Sequence, residues 1–155
     1  QYAGKITTPD TLTVHFEFDR CPVVWRHRLW GSQEYTPEVN NGIFFYGEKG
    51  TIFASDRRYV IIRSPKDREE VDLPAQLGPD HMADFLAAVH ARKQPSCTVD
   101  EGFRSTLAVQ LGMIAYETNS TVRWDDANLA IVGNAPAAEL LRREYRTPYQ
   151  HPWNG

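Results

Sequence analysis

The stretch of residues 42–63, GIFFYGEKGTIFASDRRYVIIR, constrains the fold more than any other part of the chain. Three short runs rich in Ile, Phe, Tyr and Val, at 43–46, 51–54 and 59–62, are separated by turn residues. Such runs bounded by turn clusters are typical of strands. The connections are too short for the crossover that parallel strands need, so we expect antiparallel neighbours. The stretch predicts a β-meander, and it contains no nucleophile beside a base and no phosphate-binding loop.

Residues 11–18 alternate strictly between apolar and polar side chains, which predicts a half-buried strand. Residues 23–30 can return beside it as a hairpin in which Phe18 pairs with Val23, so that the two apolar faces coincide. We expect the core face to carry Leu12, Val14, Phe16, Phe18, Val23, Trp25 and Leu29. The opposite face is polar with scattered aromatics, and its candidate substrate or interface residues are His15, Glu17, Arg26, Arg28 and Trp30.

Helical periodicity follows the strands. It predicts one helix over 79–92, with Asp80 as its cap, and a second over 99–119, where Thr98 and Glu101 have capping-box spacing. A short third helix is predicted over 135–145, and residues 121–124 are expected to add a strand to the sheet. Strands before helices indicate an α+β fold: a mostly antiparallel sheet with helices packed on one face, in which the two longer helices cover the Leu12 to Phe18 face. We expect residues 1–155 to form a single domain, with 1–10 as a linker.

The net charge of −3 and the pI near 5.9 do not favour nucleic acid or a membrane surface as a partner. No apolar run is long enough to span a membrane. Two cysteines are too few for a disulfide framework or a zinc site, so an intracellular, cytoplasmic chain is the default, with an export signal upstream left open. The chain begins at Gln1 rather than Met, and we expect it to be a piece of a longer protein.

Three groups of side chains suggest chemistry, and each also has a simpler structural explanation. His81 and Asp84 have the spacing of helix neighbours and could act as an acid and base, or simply belong to a helix start. Asp125 and Asp126 could bind a divalent cation or form a turn. The predicted hairpin places His27 on the face opposite His15, which excludes a metal site built on both. From these residues we predict no catalytic group, no cofactor site and no metal site.

Three segments together resemble the C-terminal domain of the Gfo/Idh/MocA oxidoreductases, of the type common in planctomycetes and related bacteria. The segments are GIFFYGEKGTIFAS, HMADFLAAVHARKQPSCTVDEGFRSTLAVQLGMIAYETNSTVRWDDA and ELLRREYRTPYQHPW. The resemblance implies a mostly antiparallel sheet that forms part of a substrate pocket and commonly a subunit interface. It also implies an N-terminal Rossmann domain that binds NAD or NADP.

The chain departs from that family pattern in its catalytic motifs. Glu48 and Lys49 are followed by Gly50, not by the proline of the family's EKP motif, and neither a dinucleotide fingerprint nor the family's Asp-x-x-x-His motif occurs. We therefore interpret the chain as an isolated substrate-binding and oligomerisation domain of an NAD(P)-dependent oxidoreductase acting on a sugar or related polyol. Its partners would be a second copy, through the open sheet face, and the absent Rossmann domain. By itself it should be inactive.

Two alternatives remain open at this stage. A free-standing binding or scaffold protein could keep the same fold without the enzyme, and a hydrolase that uses His81 and Asp84 ranks last. A further prediction concerns the proline-rich tail, residues 145–153, in which Tyr149 and Trp153 are expected to anchor an extended segment, with Arg146 available to a carboxylate.

Overall fold

The computed structural model of the chain describes residues 8–30, 41–73 and 76–150. Its elements in chain order are β1 (Thr11–Glu17), β2 (Pro22–Arg28), β3 (Ile43–Gly47), β4 (Gly50–Ala54), β5 (Arg58–Ser64), β6 (Asp67–Asp72), α1 (Leu77–Ala91), α2 (Val99–Thr118), β7 (Arg123–Asp125), β8 (Ala130–Val132) and α3 (Ala135–Glu139). Every strand pairing is antiparallel. The predicted α+β class is confirmed. The chain divides into two compact units, residues 1–96 and 97–155, and the single-domain organisation stays a prediction.

The first hairpin, β1 with β2, forms with a register that differs from the predicted one. Phe16, not Phe18, lies opposite Val23, and Glu17 lies opposite Pro22. A proline without an N–H group is tolerated as the first residue of a strand, so Pro22 starts β2 and the turn moves back toward Phe18. The shift is two residues, which keeps every side chain on its predicted face because side chains alternate with a period of two.

The predicted cover over the apolar face of this hairpin is not seen. Phe18 and Trp25 are 56% and 48% exposed, and Leu12, Val14 and Phe16 are only half-buried. A two-stranded hairpin cannot bury one of its own faces, because both strands lie in one layer. The assignment of these side chains to an apolar face is right, but their burial under α1, the predicted helix of the same unit, is wrong among the described residues. Cover by α2, which belongs to the other unit, stays a prediction.

The predicted meander is confirmed as a four-stranded sheet in the order β3-β4-β5-β6. Phe53 on β4 lies between Phe44 and Val60 on the neighbouring strands, and Phe53 and Val60 are 2% and 1% exposed. The Phe44 and Phe53 rings are tilted against each other with centroids 4.9 Å apart. These three side chains form the buried centre of unit 1.

Strand β6 is an outer strand of this sheet and carries charged side chains at five of its six positions. Arg58 pairs with Glu70, and Arg63 reaches Glu69 at 2.9 Å and Asp67 at 3.4 Å. A register shift between Ile62 and Ser64 interrupts the β5–β6 ladder. Charges and bulges are the usual protection of an exposed sheet edge.

Helix α1 begins earlier than predicted, and Asp80 is not its cap. Gln76 occupies the cap position, and the Asp80 carboxylate accepts a hydrogen bond from the Gln76 backbone N–H at 3.0 Å. The helix ends at a left-handed Arg92. Its predicted apolar stripe is present, but Met82, Phe85, Leu86 and Val89 remain about half exposed.

Unit 2 begins with the predicted capping box. Thr98 accepts a hydrogen bond from the Glu101 backbone, and the Glu101 carboxylate accepts one from the Thr98 backbone at 2.8 Å. Helix α2 then runs to a left-handed Asn119, as predicted. Residues 121–124 were expected to join the main sheet, but Arg123–Asp125 pairs locally with β8, which the sequence did not predict.

Helix α3 is shorter than the predicted span of 135–145. Asn134 caps its start as the residue before the predicted first position, but the helix ends at Glu139. Its Ala137 is fully buried with Ile114 and Ile131, and this cluster is the core of unit 2. Within the residues that the structure describes, no helix combines the length and apolar character that a membrane span requires.

Candidate functional site

The candidate residues that the sequence placed on one side of the first hairpin do share a face. His15 lies opposite Val24 and Glu17 opposite Pro22, whereas Arg26 and Arg28 lie opposite Thr13 and Thr11. All of these side chains are exposed. With Trp30, which follows β2, the residues His15, Glu17, Arg26 and Arg28 are called the hairpin polar face below.

The corrected register changes the neighbours within the hairpin polar face. His15 was expected directly opposite Arg26, but the two are now diagonal neighbours, because Arg26 lies opposite Thr13. Diagonal pairs are typically about 7–8 Å apart at the backbone, within reach of long side chains. The face therefore carries these groups along the length of a short hairpin, with Glu17 at the turn end, Arg28 at the open end, and His15 and Arg26 between them.

Trp30 is held at the edge of this face by two contacts. Its indole Nε1 donates a hydrogen bond of 2.7 Å to the Thr11 hydroxyl, and the Arg28 guanidinium carbon lies 6.0 Å from the ring centroid. A cation at this distance from an indole is attracted by the ring quadrupole. The role of Thr11 does not follow from the sequence, because it depends on the pairing of two strands in which Thr11 lies opposite Arg28.

The other side of the hairpin carries its own aromatic contacts. The Trp25 and His27 rings stack with centroids 5.6 Å apart and planes 14° from parallel. Because His27 lies opposite Leu12, it is on the face opposite His15, as predicted. No group of three metal-ligating side chains occurs among the described residues.

Asp84, the acid-base candidate on α1, is engaged in a structural contact. Its carboxylate accepts hydrogen bonds from the Ser96 backbone N–H at 2.7 Å and from the Ser96 hydroxyl at 3.1 Å. These bonds tie the loop after α1 back to the helix. The contact explains Asp84 without a catalytic role, and the arrangement does not support the hydrolase hypothesis for His81 and Asp84.

Asp125 forms the turn that was the simpler explanation for the Asp125-Asp126 pair. Its carboxylate accepts hydrogen bonds from the Asn128 side chain at 2.8 Å and from the backbone N–H groups of Ala127 and Asn128. The Asn128 side chain first, and then these backbone donors, lower the pKa of Asp125 below its ordinary value. Asp126 pairs with Arg104 of α2 at 3.2 Å.

A second surface emerges from the register of the main sheet. On the side opposite Phe53 and Val60, Ile43, Phe45 and Ile52 are 59%, 56% and 42% exposed, and their partners across β3, β4 and β5 are apolar. Tyr59, Ile61 and Val71 continue the same side and are half-buried. We call these six residues the apolar sheet face. Glu69 of β6, which lies opposite Ile61, is a charged residue at the border of this side.

The sequence contained a signal for this second surface. Residues 43–46 are apolar without alternation, which is typical of a strand covered on both faces. The strict alternation of residues 11–18 separates an apolar from a polar face, and for that reason it predicts the interface candidates on the first hairpin. The sequence predicts that the meander is a sheet, but its strands do not alternate clearly enough to predict which side chains lie on which face.

The C-terminal segment departs from its predicted anchoring. Tyr149 is 62% exposed and the Arg146 guanidinium lies 5.9 Å from its ring, so Tyr149 contacts Arg146 and is not a buried anchor. A backbone hydrogen bond of 2.9 Å from Tyr149 to Arg146 closes this turn. Trp153, the other predicted anchor, lies outside the described residues.

Comparison with known proteins identifies one family. Residues 25–151 match a family model for the C-terminal domain of the Gfo/Idh/MocA proteins, described as "Oxidoreductase family, C-terminal alpha/beta domain". No curated protein and no solved structure matches the chain. The matched range starts within β2 and includes the main sheet and both longer helices.

Proposed function

We propose a function from the premise that the chain belongs to the Gfo/Idh/MocA oxidoreductase family and represents its C-terminal α/β domain. The chain is proposed to be the substrate-binding and oligomerisation part of an NAD(P)-dependent oxidoreductase that acts on a sugar or a related polyol. The family match over residues 25–151 is the observation that carries this proposal.

The hairpin polar face is the proposed substrate surface. Toward the open end of the hairpin Arg26 and Arg28 supply hydrogen-bond donors and the Trp30 indole supplies a flat apolar ring, and Glu17 supplies an acceptor at the turn end. Hydroxyl-rich substrates need both donors and acceptors, and a planar ring is suited to the apolar side of a sugar. The hydrogen bond from Trp30 to Thr11 supports this assignment because it limits the orientations of the indole.

The described residues do not fit a nicotinamide dinucleotide. Such a cofactor needs a glycine-rich turn from a strand into a helix, where backbone N–H groups meet the pyrophosphate. The helix that follows β6 has Pro79, which lacks an N–H group, in its first turn, and Asp80 already accepts a hydrogen bond there. We therefore assign hydride chemistry to a separate N-terminal domain, and we expect calorimetry to detect no NAD(H) or NADP(H) binding by this chain.

The apolar sheet face is the proposed surface for oligomerisation, with a second copy of the chain as its occupant. Two copies related by a two-fold axis would bury the same face on both sides. Two sheets packed face to face interdigitate at about 10 Å, a geometry that suits aliphatic and aromatic side chains. This assignment moves the proposed subunit contact from the hairpin polar face to the main sheet and leaves the polar face to the substrate.

Sedimentation velocity tests the oligomerisation part. The wild-type chain is expected to associate, and Ile52→Lys is expected to lower the association state because it buries an unpaired charge at the interface. Val109→Lys on α2, which replaces an exposed apolar residue on another element, is the control and should leave association unchanged. Equal behaviour of the two variants would contradict the proposed surface.

Enzyme kinetics of a protein that carries this chain after a dinucleotide-binding domain tests the substrate part. We expect NAD(P)-dependent oxidation of at least one member of a sugar and polyol panel. Thr11→Val and Trp30→Ala should raise KM with a smaller effect on kcat, since they act on substrate placement. Arg68→Ala, on β6 of the other sheet, is the control. Unchanged KM values for all members of the panel would overturn the site assignment.

A free-standing binding or scaffold protein is the alternative function. The two proposals differ in the reading frame that precedes the codon for Gln1. A continuous upstream frame that encodes a strand, a GxGxxG turn and a helix supports the oxidoreductase. A start codon directly before Gln1 supports the scaffold, and in that case the polar face would have a binding role only.

A further inference from the structure

The two outer strands of the main sheet have opposite characters. Strand β6 carries charged residues at five of six positions and pairs with β5 through an irregular register. Strand β3 has the sequence IFFYG, without a charged residue or proline, and its ladder with β4 is regular. Sheets in monomeric proteins protect their edges with charges, prolines or bulges, because an exposed edge pairs with other chains. Only β6 has this protection.

The exposure of β3 agrees with this contrast. Tyr46 is 81% exposed, although it lies on the same side of the sheet as the buried Phe53, and Phe45 is 56% exposed on the other side. Strand β3 pairs with β4 along one edge, and among the described residues no strand pairs with its outer edge. The strand therefore has the composition of a sheet interior at the position of a sheet edge.

We propose that the outer edge of β3 pairs with β3 of a second copy, antiparallel across a two-fold axis, and joins the two four-stranded sheets into one continuous sheet. This contact goes beyond the proposed function. It is an edge contact, distinct from face-to-face packing of the apolar sheet face. Both contacts are isologous, and in the proposed arrangement their two-fold axes intersect at right angles, so that a chain that uses both forms a closed tetramer.

Charge decides between the possible edge pairings. A β6–β6 pairing in which Glu69 faces Glu70 of the second copy puts like charges opposite one another, which is destabilising. A β3–β6 pairing is heterologous and, unless its rotation closes into a ring, continues into an open fibre. A β3–β3 pairing carries no charge on either strand and closes with two copies. Among pairings between two copies, charge and closure therefore favour β3–β3, and the side chains of β3 itself are the argument for a second copy as the occupant.

The side chains of β3 suit this self-pairing. In a register centred on Phe45, each Phe45 faces its equivalent, and Phe44 of one copy faces Tyr46 of the other. Aromatic pairs across neighbouring strands are among the stabilising cross-strand contacts of sheets. In the same register Gly47 faces Ile43 of the second copy. Each strand end therefore pairs a β-branched residue with a glycine, and no charged residue is involved.

Two substitutions separate the edge contact from the face contact. Tyr46→Lys puts a charge on β3 on the side of the sheet away from the apolar sheet face, whereas Ile52→Lys changes that face on the adjacent strand. The mass of each variant is measured by sedimentation equilibrium, and the backbone exchange of β3 by hydrogen–deuterium mass spectrometry. We expect wild-type β3 amides to be protected, Tyr46→Lys to lose at least ten-fold of that protection, and Ile52→Lys to retain it.

The masses make the two interfaces independently testable. If both exist, wild type is a tetramer, each single variant is a dimer and the double variant is a monomer. A Tyr46→Lys chain with the wild-type mass and unchanged β3 protection overturns the edge proposal and leaves the face contact standing. An Ile52→Lys chain with the wild-type mass and a Tyr46→Lys monomer overturns the face contact and leaves the edge proposal standing.

A pair of variants with opposite charges at position 46 serves two purposes. It distinguishes loss of the contact from unfolding, and it tests whether the partner of β3 is a second copy of the chain. Tyr46→Glu and Tyr46→Lys chains should each lose the edge contact while their circular dichroism spectra stay native. Mixing the two variants should restore association, because the charges are diagonal neighbours across the two-fold axis in the proposed register. Native spectra with no restored association on mixing, or protection of β3 by a co-purified foreign chain, would contradict pairing between copies.

Discussion

At the residue scale, close packing at Gly42 fixes the start of the main sheet. A Cβ atom built on this glycine would overlap the Phe53 ring and would lie 2.6 Å from the Ala54 carbonyl oxygen. Phe53 is itself almost fully buried, and the Ala54 oxygen belongs to the backbone and cannot rotate away as a flexible side chain could. The glycine is therefore required for the approach of the backbone to the ring.

Gly42→Ala is expected to destabilise the chain by about 1–3 kcal/mol, because the added methyl group overpacks a filled site. Gly102→Ala is the matched control, since a Cβ there meets no atom within 4 Å. That variant should be neutral or stabilised by up to about 1 kcal/mol, as a helical glycine becomes alanine. Urea unfolding measures both, and equal midpoints for the two variants would show that the Phe53 ring yields at little cost.

Asp125 provides a pH-dependent test at the same scale. Its folded-state pKa is lowered mainly by the Asn128 side chain, so the contribution to stability is present above the unfolded-state value, about 3.9, and is lost as the pH falls through the folded value. Asn128→Ala should raise the pKa of Asp125 toward its ordinary value, as measured by NMR titration of the carboxyl carbon. The variant should be less stable than wild type near neutral pH, and the difference should shrink below about pH 4. A pKa that does not move would mean that the backbone donors alone hold the carboxylate.

At the element scale, local signals placed the ends of α2 correctly and those of α1 less well. The Thr98 and Glu101 pair satisfies backbone groups that the helix itself leaves without partners, so its effect is contained within four residues. Asp80 at the start of α1 had the right residue type, but the helix begins before it and the carboxylate reaches back to Gln76. A carboxylate is favourable at the helix N-terminus both at the cap position and within the first turn. The residue type of Asp80 alone therefore does not determine where the helix begins.

Thr98→Ala is expected to cost about 1 kcal/mol of stability, through the loss of the cap at the start of α2. Ser105→Ala is the control within the same helix, because the Ser105 hydroxyl donates to the Glu101 carbonyl oxygen of the preceding turn and takes no part in the cap. Its change should stay within about 0.5 kcal/mol. A loss for Ser105→Ala as large as that for Thr98→Ala would show that the cap is not the stabilising feature.

At the scale of the whole molecule, two separate buried clusters raise the question of cooperativity. Phe53 and Val60 are buried in the unit of residues 1–96, and Ile114, Ile131 and Ala137 in the unit of residues 97–155. The sequence predicts one domain. Small single domains usually unfold in one cooperative transition, which makes the prediction measurable.

We expect one calorimetric transition that both Phe53→Ala and Ile114→Ala shift downward. Truncation of a buried phenylalanine typically costs about 3–5 kcal/mol and of a buried isoleucine about 2–5 kcal/mol. Tyr149→Ala, at an exposed position, is the control and should leave the transition in place. Two transitions, each moved by only one of the core variants, would refute the single-domain prediction.

The sequence alone determined the features that depend on neighbours along the chain. The strands of the meander, the faces of the first hairpin and the capping box of α2 follow from side-chain period and local hydrogen bonding. These interactions need only a few consecutive residues, so they can be predicted without knowing what lies across from them.

Only the tertiary structure decided the features that depend on residues distant in sequence. It set the β1–β2 register, brought Trp30 to Thr11, paired β7 with β8 and left Ile43, Phe45 and Ile52 together on an exposed face. A shift of two residues preserves the alternating pattern, so the pattern could not choose the register. Burial likewise depends on which surfaces pack together in the folded chain. Periodicity shows only which side chains share an apolar face.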